Sequence, residues 1–323
     1  MKVTTWGTRG SLPKPMDDTG FRKFVTELID EIGVDAPNGL ATLKQQLASR
    51  SKNFLYGGNT SCVQVESKGG HSILFDMGTG LRAAGTKLVS EKTKEFHIFL
   101  THLHWDHIMG LPFFLPLYDP GSKINFYHVH KNAEPYLKIL FNGINFPLDW
   151  GGVTADVEFK QLKLYQPVKI DSLNVSPFTL DHPGGSFGYR VDEGLRSMVV
   201  GYDSEYKRLT KAELGKDYVY YTDLDLILFD AQYEMQNYAS KFDWGHCTPT
   251  IGTGLALREG IKTLVLTHHD PWAEANTINR MLDNARHHVR VHLPEHEELW
   301  RNLNKPDGPE VVAAFDGMNI VLE

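Results

Sequence analysis

Residues 101–110 read Thr-His-Leu-His-Trp-Asp-His-Ile-Met-Gly, with three histidines and an aspartate inside six consecutive positions. They follow the apolar run EFHIFL at 95–100, which reads as a strand. His102 and His104, two residues apart at the end of that strand, leave the same face. Asp106 and His107 follow at a turn and reach toward a second position nearby. A lone histidine is usually a hydrogen-bonded core or surface residue. Four ligand-type side chains directly after an apolar strand are a metal-site pattern, and imidazole with carboxylate suits zinc, with manganese or iron as alternatives.

Two divalent ions need more donors than this stretch supplies. Three candidates stand at strand-to-loop junctions: His182 opening HPGGSFGYR, Asp203 ending VVGYD, and the pair His268–His269 ending LVLTHH. Neighbouring residues on a strand point to opposite faces, so only one of that pair reaches the site, and spacing does not choose between them. Three histidines on one ion, Asp106 with two histidines on the other, and a shared carboxylate make a balanced pair. Two cations so held lower the pKa of a bridging water, which supplies a hydroxide near neutral pH.

The rest of the sequence sets the frame. A chain of 323 residues with 41% hydrophobic and 23% charged residues is long enough for a sizeable core and ordinary for a globular protein. Thirty-three basic against forty acidic residues give a net charge of −7, which argues against a large nucleic-acid partner. Cys62 and Cys247 alone offer no disulfide framework, and neither a signal-type segment nor a run long enough to span a membrane is present, so a cytoplasmic protein is expected.

Strand-like runs at 2–7, 60–67, 71–78, 95–102, 123–129, 197–203, 224–231 and 262–269 interleave with helical patterns at 78–91, 246–260 and 277–290, which predicts an α/β layered fold. Thr248 and Pro249 are placed to start the second of these helices and Gly260 to stop it. Residues 19–52 interrupt the rhythm with two amphipathic helical patterns, read as a surface hairpin, a lid or a homodimer contact. The aromatic stretch 111–150, with Phe113, Phe114, Tyr118, Phe141, Phe146 and Trp150, is a candidate lid lining a substrate pocket. The amides of Gly184, Gly185 and Ser186 are a candidate phosphate nest. The other histidines lack ligand spacing.

The pattern His-x-His-x-Asp-His with a distant His, Asp and His resembles the metallo-β-lactamase superfamily. GTRGSLPKP, YGGNTSC, FDMGTGLR, HPGGSFGYR, DSEY, FDAQY and GHCTPTIG resemble, in order, its RNase Z and cyclic-phosphodiesterase branch. The resemblance implies one domain over residues 1–323, a four-layer αβ/βα sandwich with a dinuclear site at the edge of its sheets. It implies His102, His104 and His182 on one ion, Asp106, His107 and His268 on the other, and Asp203 between them, with the family pattern favouring His268 over His269. It also implies an Asp230–His246 pair outside the ligand set. Asp230 orients the ring, and His246 acts as a general acid on a phosphodiester's leaving oxygen, which amide hydrolysis does not need. His246, Asp230 and Asp106 are thus the residues assigned to chemistry. The function expected is hydrolysis of a small nucleotide-like phosphodiester, foremost a cyclic nucleotide. A tRNA 3′-processing nuclease and a lactonase or thioesterase are the alternatives.

Overall fold

The computed structural model describes residues 1–32, 38–49 and 55–323. Its strands, in chain order, are β1 (Lys2–Gly7), β2 (Cys62–Glu66), β3 (Ser72–Phe75), β4 (Glu95–Leu100), β5 (Lys123–His128), β6 (Asp156–Gln161), β7 (Val168–Ile170), β8 (Leu173–Leu180), β9 (Ser186–Glu193), β10 (Arg196–Gly201), β11 (Leu226–Asp230), β12 (Thr263–Thr267), β13 (Glu310–Ala313) and β14 (Met318–Val321). They form two seven-stranded sheets, ordered β14-β1-β2-β3-β4-β5-β6 and β13-β12-β11-β10-β9-β8-β7.

Alternation along the strands explains the layering. On β11, Leu226 and Leu228 join Val63, Phe75, Phe99 and Val200 in the core between the sheets. Ile227 and Phe229, one residue out of phase, face Leu255, Leu257, Ile278 and Leu282 of the helices Pro249–Glu259 and Ala275–His292. Leu74, Ile98 and Leu100 do the same for the first sheet, against Leu81, Ala84 and Leu88 of the helix Leu81–Ser90. Central strands covered on both faces read as continuous apolar runs, as in parallel sheets. The result is the helix–sheet–sheet–helix order expected.

Parallel pairing decides where chemistry can sit. β3 to β6 run parallel in the first sheet, and β10 to β13 in the second. The carboxyl ends of β4, β10, β11 and β12 therefore lie at one edge, where loops can converge. The two sheets are also bonded there: the Tyr189 hydroxyl donates to Leu100 O (2.7 Å) and the Phe187 amide to Thr101 O (3.1 Å).

Residues 8–17 form a strap across this edge. The buried Arg9 guanidinium donates to the carbonyls of Gly57, Asp270 and Ala273. Asp316 accepts from the Thr8 hydroxyl (3.1 Å), the Gly58 amide (3.1 Å), and the Asn59 amide and side chain (both 2.9 Å). The YGGNTSC stretch is thus held as a turn. Helices Asp18–Ile32 and Gly39–Ser49 occupy the segment 19–52, of which 33–37 and 50–52 lie outside the described residues.

Three expectations differ in detail. Of the candidate lid 111–150, Phe114, Leu117 and Phe126 are fully buried and β5 is an inner strand, because this stretch closes the outer face of the first sheet. Phe146 and Trp150 pack against Phe141, with ring centroids 5.7 and 5.1 Å away. Thr248 occupies the helix N-cap position without a capping bond, its hydroxyl turned to the Met235 sulfur (3.8 Å).

Asp316→Ala should lower the urea-denaturation stability of the metal-free protein by about 2–3 kcal/mol, since it leaves several partly buried donors unmatched. A change below about 0.5 kcal/mol would contradict that role.

Candidate metal centre

The motif's side chains meet the distant ones at the shared edge. His102 and His104 extend beyond β4, and Asp106 and His107 sit in the short helix Trp105–Ile108. His182 comes from the β8–β9 turn, Asp203 follows β10, and His268 follows β12. His268 takes a φ of +58°, which breaks the strand and turns its ring inward. His269 points the other way, its Nε2 donating to Ala314 O (2.9 Å), and burial followed by Arg9's charge lowers its pKa to about 3. Gly10 passes so near that a Cβ there would overlap the His268 ring.

Two clusters result. In the first, His104 Nδ1 and His182 Nε2 are 3.0 Å apart, and Asp203 Oδ2 is 3.6 Å from His102 Nε2 and 3.7 Å from His182 Nε2. In the second, His107 Nε2 lies 3.1 Å from Asp106 Oδ2 and 3.3 Å from Asp203 Oδ1. His268 Nε2 lies 3.2 and 3.0 Å from the same two oxygens. A tetrahedron with zinc–ligand bonds of about 2.0–2.1 Å has edges of about 3.3 Å. Both clusters fit a cation at that scale, and Asp203 presents one oxygen to each.

The electrostatics fit as well. Asp76, Asp106, Asp203 and Asp230 are all buried together, and among the described residues no lysine or arginine pairs with any of them. Buried anions are stable only when paired or bound to a cation. His102 Nε2, His107 Nε2 and Asp203 Oδ1 are buried without hydrogen-bond partners. Burial, reinforced by His107, holds His102 well below the usual histidine range, and burial lowers His104 and His182 too. For Asp203, burial opposes ionisation, but the rings of His268, His107 and His102 outweigh it and keep the carboxyl well below its usual range. Neutral rings and ionised carboxylates are the protonation states that bind metals. His107 differs: burial opposes its charge, but Asp106, Asp203 and Asp76 outweigh burial and raise its pKa well above the usual histidine range, so a cation entering that cluster displaces a proton from it.

Three of the rings are aimed by their other nitrogen, whereas His268 Nδ1 is buried without a hydrogen-bond partner among the described residues. His107 Nδ1 donates to Asp76 Oδ2 (2.8 Å). His102 Nδ1 donates to the Thr101 hydroxyl (3.1 Å), which itself donates to Asp76. His182 Nδ1 donates to Gly245 O (2.8 Å), and the Ser11 amide donates to Asp106 Oδ2 (2.8 Å). Asp76, Ser11 and Gly245 had no role in the sequence reading. Asp76 had a faint signal, an acid ending the apolar run HSILFD before a glycine.

Beside these clusters, Asp230 Oδ2 accepts from His246 Nδ1 (2.9 Å), and its Oδ1 accepts from the Cys247 amide (3.1 Å). The His246 ring stacks on His268, centroids 4.9 Å apart, and lies 5.2 Å from His182. Burial opposes the ring's charge, but Asp230, with Asp203 and Asp106 behind it, raises its pKa to about 9. Asp230 and His246 could also be grouped with Asp203 and His268 around an ion. The bonds already made to Asp230 identify it instead as the partner of the imidazole. The expected nest differs: the Gly185 amide turns back to His182 O (3.1 Å), which takes it away from any ligand.

A cavity of about 360 Å³ opens beside His102 and His104, lined by His130, Lys131, Tyr136 and the Pro183–Gly185 turn. A larger one, about 1070 Å³, lies between the helix Asp18–Ile32 and Tyr56, Met109 and Phe113, but holds none of the converging donors. The smaller one alone of the two is lined by converging donors, His102 and His104.

A family model described as a beta-lactamase superfamily domain matches residues 71–269, which span both clusters. The chain belongs to the metallo-β-lactamase superfamily. Its relatives lie on the RNase Z-like branch. A ribonuclease Z of Trichodesmium erythraeum is 24% identical over 288 residues, 72% of this chain and 84% of the relative. Among solved structures, a metallo-beta-lactamase fold protein of Bacillus subtilis aligns at a TM-score of 0.62 and 17% identity, over 99% of this chain and 98% of the other. The short form of human tRNase Z aligns at 0.60 and 19% identity over the whole of both chains. This fold implies divalent metal ions, which the two clusters suit.

Asp203→Ala should remove both ions together, because each cluster loses a donor. Elemental analysis of zinc-reconstituted protein should find close to two ions per wild-type chain and far fewer in the variant. An unchanged count would contradict a shared carboxylate. Asp76→Asn, which leaves all seven donors in place, should weaken metal binding about 10–100-fold, read by chelator competition.

Proposed function

We propose that the protein is a dinuclear metal-dependent phosphodiesterase acting on a small nucleotide-like diester, foremost a cyclic nucleotide, with zinc as its expected metal. The protein is a hydrolase. The observation that carries the phosphodiester reading is the Asp230–His246 pair set against the His182 and His268 rings.

His102, His104 and His182 would hold one ion and Asp106, His107 and His268 the other, with Asp203 available to both. Bound there, the ions supply Lewis acidity toward a phosphoryl group and lower the pKa of water. The chain's own groups do the rest. Asp230 takes His246 Nδ1–H, so Nε2 is the nitrogen left to meet substrate. The carboxylate keeps the imidazolium populated near neutral pH. His246 Nε2 then donates a proton to the departing alkoxide, which a ribose oxygen needs and a nitrophenolate does not. Asp106 stays ionised, fixed by the Ser11 amide.

The cavity beside His104 has room for one small organic group, in keeping with a small diester. The net charge of −7 points the same way, since gripping RNA needs a basic face. The ribonuclease Z relatives favour a second reading, a nuclease for the 3′ ends of tRNA precursors.

A substrate panel on metal-loaded protein tests these readings: 3′,5′- and 2′,3′-cyclic nucleotides, ribose cyclic phosphate, precursor tRNA, lactones and thioesters. Turnover of a cyclic nucleotide well above the rest is expected, and precursor tRNA as the best substrate would move the protein to the second reading. His246→Ala should keep both ions and slow alkyl diesters about 10²–10⁴-fold, while nitrophenyl diesters slow much less. Equal slowing of both would remove the general-acid role.

A further inference from the structure

We propose that Glu205 is a positioning residue that sets the ring of His182 and the approach of His246 through a single residue, Gly245. The inference rests on the metal-centre reading above and concerns a carboxylate outside both clusters.

Glu205 lies two residues after Asp203 and is 1% exposed. Among the described residues its carboxylate bonds to no candidate ligand, and it lines neither of the two cavities described above. Instead its oxygens accept backbone amides of one loop: Oε1 from Asp243 (2.9 Å) and Oε2 from Gly245 (3.3 Å). Gly245 then presents its carbonyl to His182 Nδ1 at 2.8 Å, and the next residue is His246. The two peptides flanking Gly245 carry the order from a buried acid to a ligand ring and to the proposed proton donor. The Glu205 amide closes the frame by donating to Asp181 O (2.8 Å), the residue before His182. Three loops from different strand ends, 181–182, 203–205 and 243–246, are tied at this one residue.

The loop cannot hold this shape unaided. Asp243 and Gly245 have φ values of +68° and +86°, and a Cβ on Gly245 would overlap both the His182 ring and Pro183. A left-handed loop of this kind persists when outside bonds fix it. Two amide bonds to an ionised acid are such bonds, and charge-assisted ones are the stronger class. Nδ1–H engaged with a carbonyl leaves the lone pair of His182 on Nε2, the atom 3.0 Å from His104 Nδ1. Lys207 caps the carboxylate from the solvent side at 3.3 Å and also pairs with the exposed Asp243 side chain, and its own side chain is more than a third exposed.

Chelator-competition titration of zinc, on wild type, Glu205→Gln and Lys207→Ala, tests the inference. The amide variant keeps the size of the side chain but turns an NH2 group toward one of the two N–H donors. One of its two zinc dissociation constants should rise about 10–100-fold, with the other within about threefold. Lys207→Ala should match the wild type in both. His246-dependent selectivity between alkyl and nitrophenyl diesters should shrink in Glu205→Gln alone. Should Glu205→Gln not fold, Glu205→Asp, which withdraws the carboxylate by one methylene, carries the same expectation. Unchanged dissociation constants with a lowered melting temperature would make Glu205 a purely structural residue and overturn the inference. An equal rise in both would do the same. A wild type that does not bind two ions would overturn the metal-centre reading and this inference with it.

Discussion

Everything at the edge of the sandwich is arranged around one buried carboxylate. Asp203 is 1% exposed, with Oδ2 turned to His102 and His182 and Oδ1 to His107 and His268. A carboxylate so placed is tolerable only if positive charge stands on both sides of it. That constraint explains why six further donors crowd it from the ends of β4, β8 and β12, and why parallel strands must end there together. It explains the outer supports too. Asp76, Thr101 and Gly245 each take the N–H of a ring whose other nitrogen is then free to face the centre.

The local part of this design is legible in the sequence. Four ligand-type residues after β4 declare themselves by spacing, and so do the strand-ending His182 and Asp203. The choice of His268 over His269 is not a matter of spacing. It depends on a positive φ at His268 and on a carbonyl, Ala314 O, that comes from β13's far end to take the other ring. The Asp230–His246 pair is visible only through resemblance, since sixteen residues and a change of element separate its members.

What stays hidden has a common cause. Asp76, Ser11, Gly245 and Glu205 act through backbone groups or through the far side of a ring, and a backbone amide has no letter in a sequence. The antiparallel pair β8–β9 was missed for a different reason. Its strands carry Ser176, Pro177, Arg190 and Asp192 among the apolar residues, which blurs their alternation. The aromatic stretch after the motif divides in a way that pattern alone does not show. Phe114 and Phe126 are buried as cover for the outer face of the first sheet, whereas Tyr136 lines the cavity beside His104.

Anomalous diffraction from crystals of the metal-loaded protein, collected across the absorption edge of the bound metal, tests the central claim most directly. The account predicts two peaks flanking the Asp203 carboxylate, one among His102, His104 and His182 and the other among Asp106, His107 and His268. A single peak, or a peak held by Asp230 and His246, would contradict it.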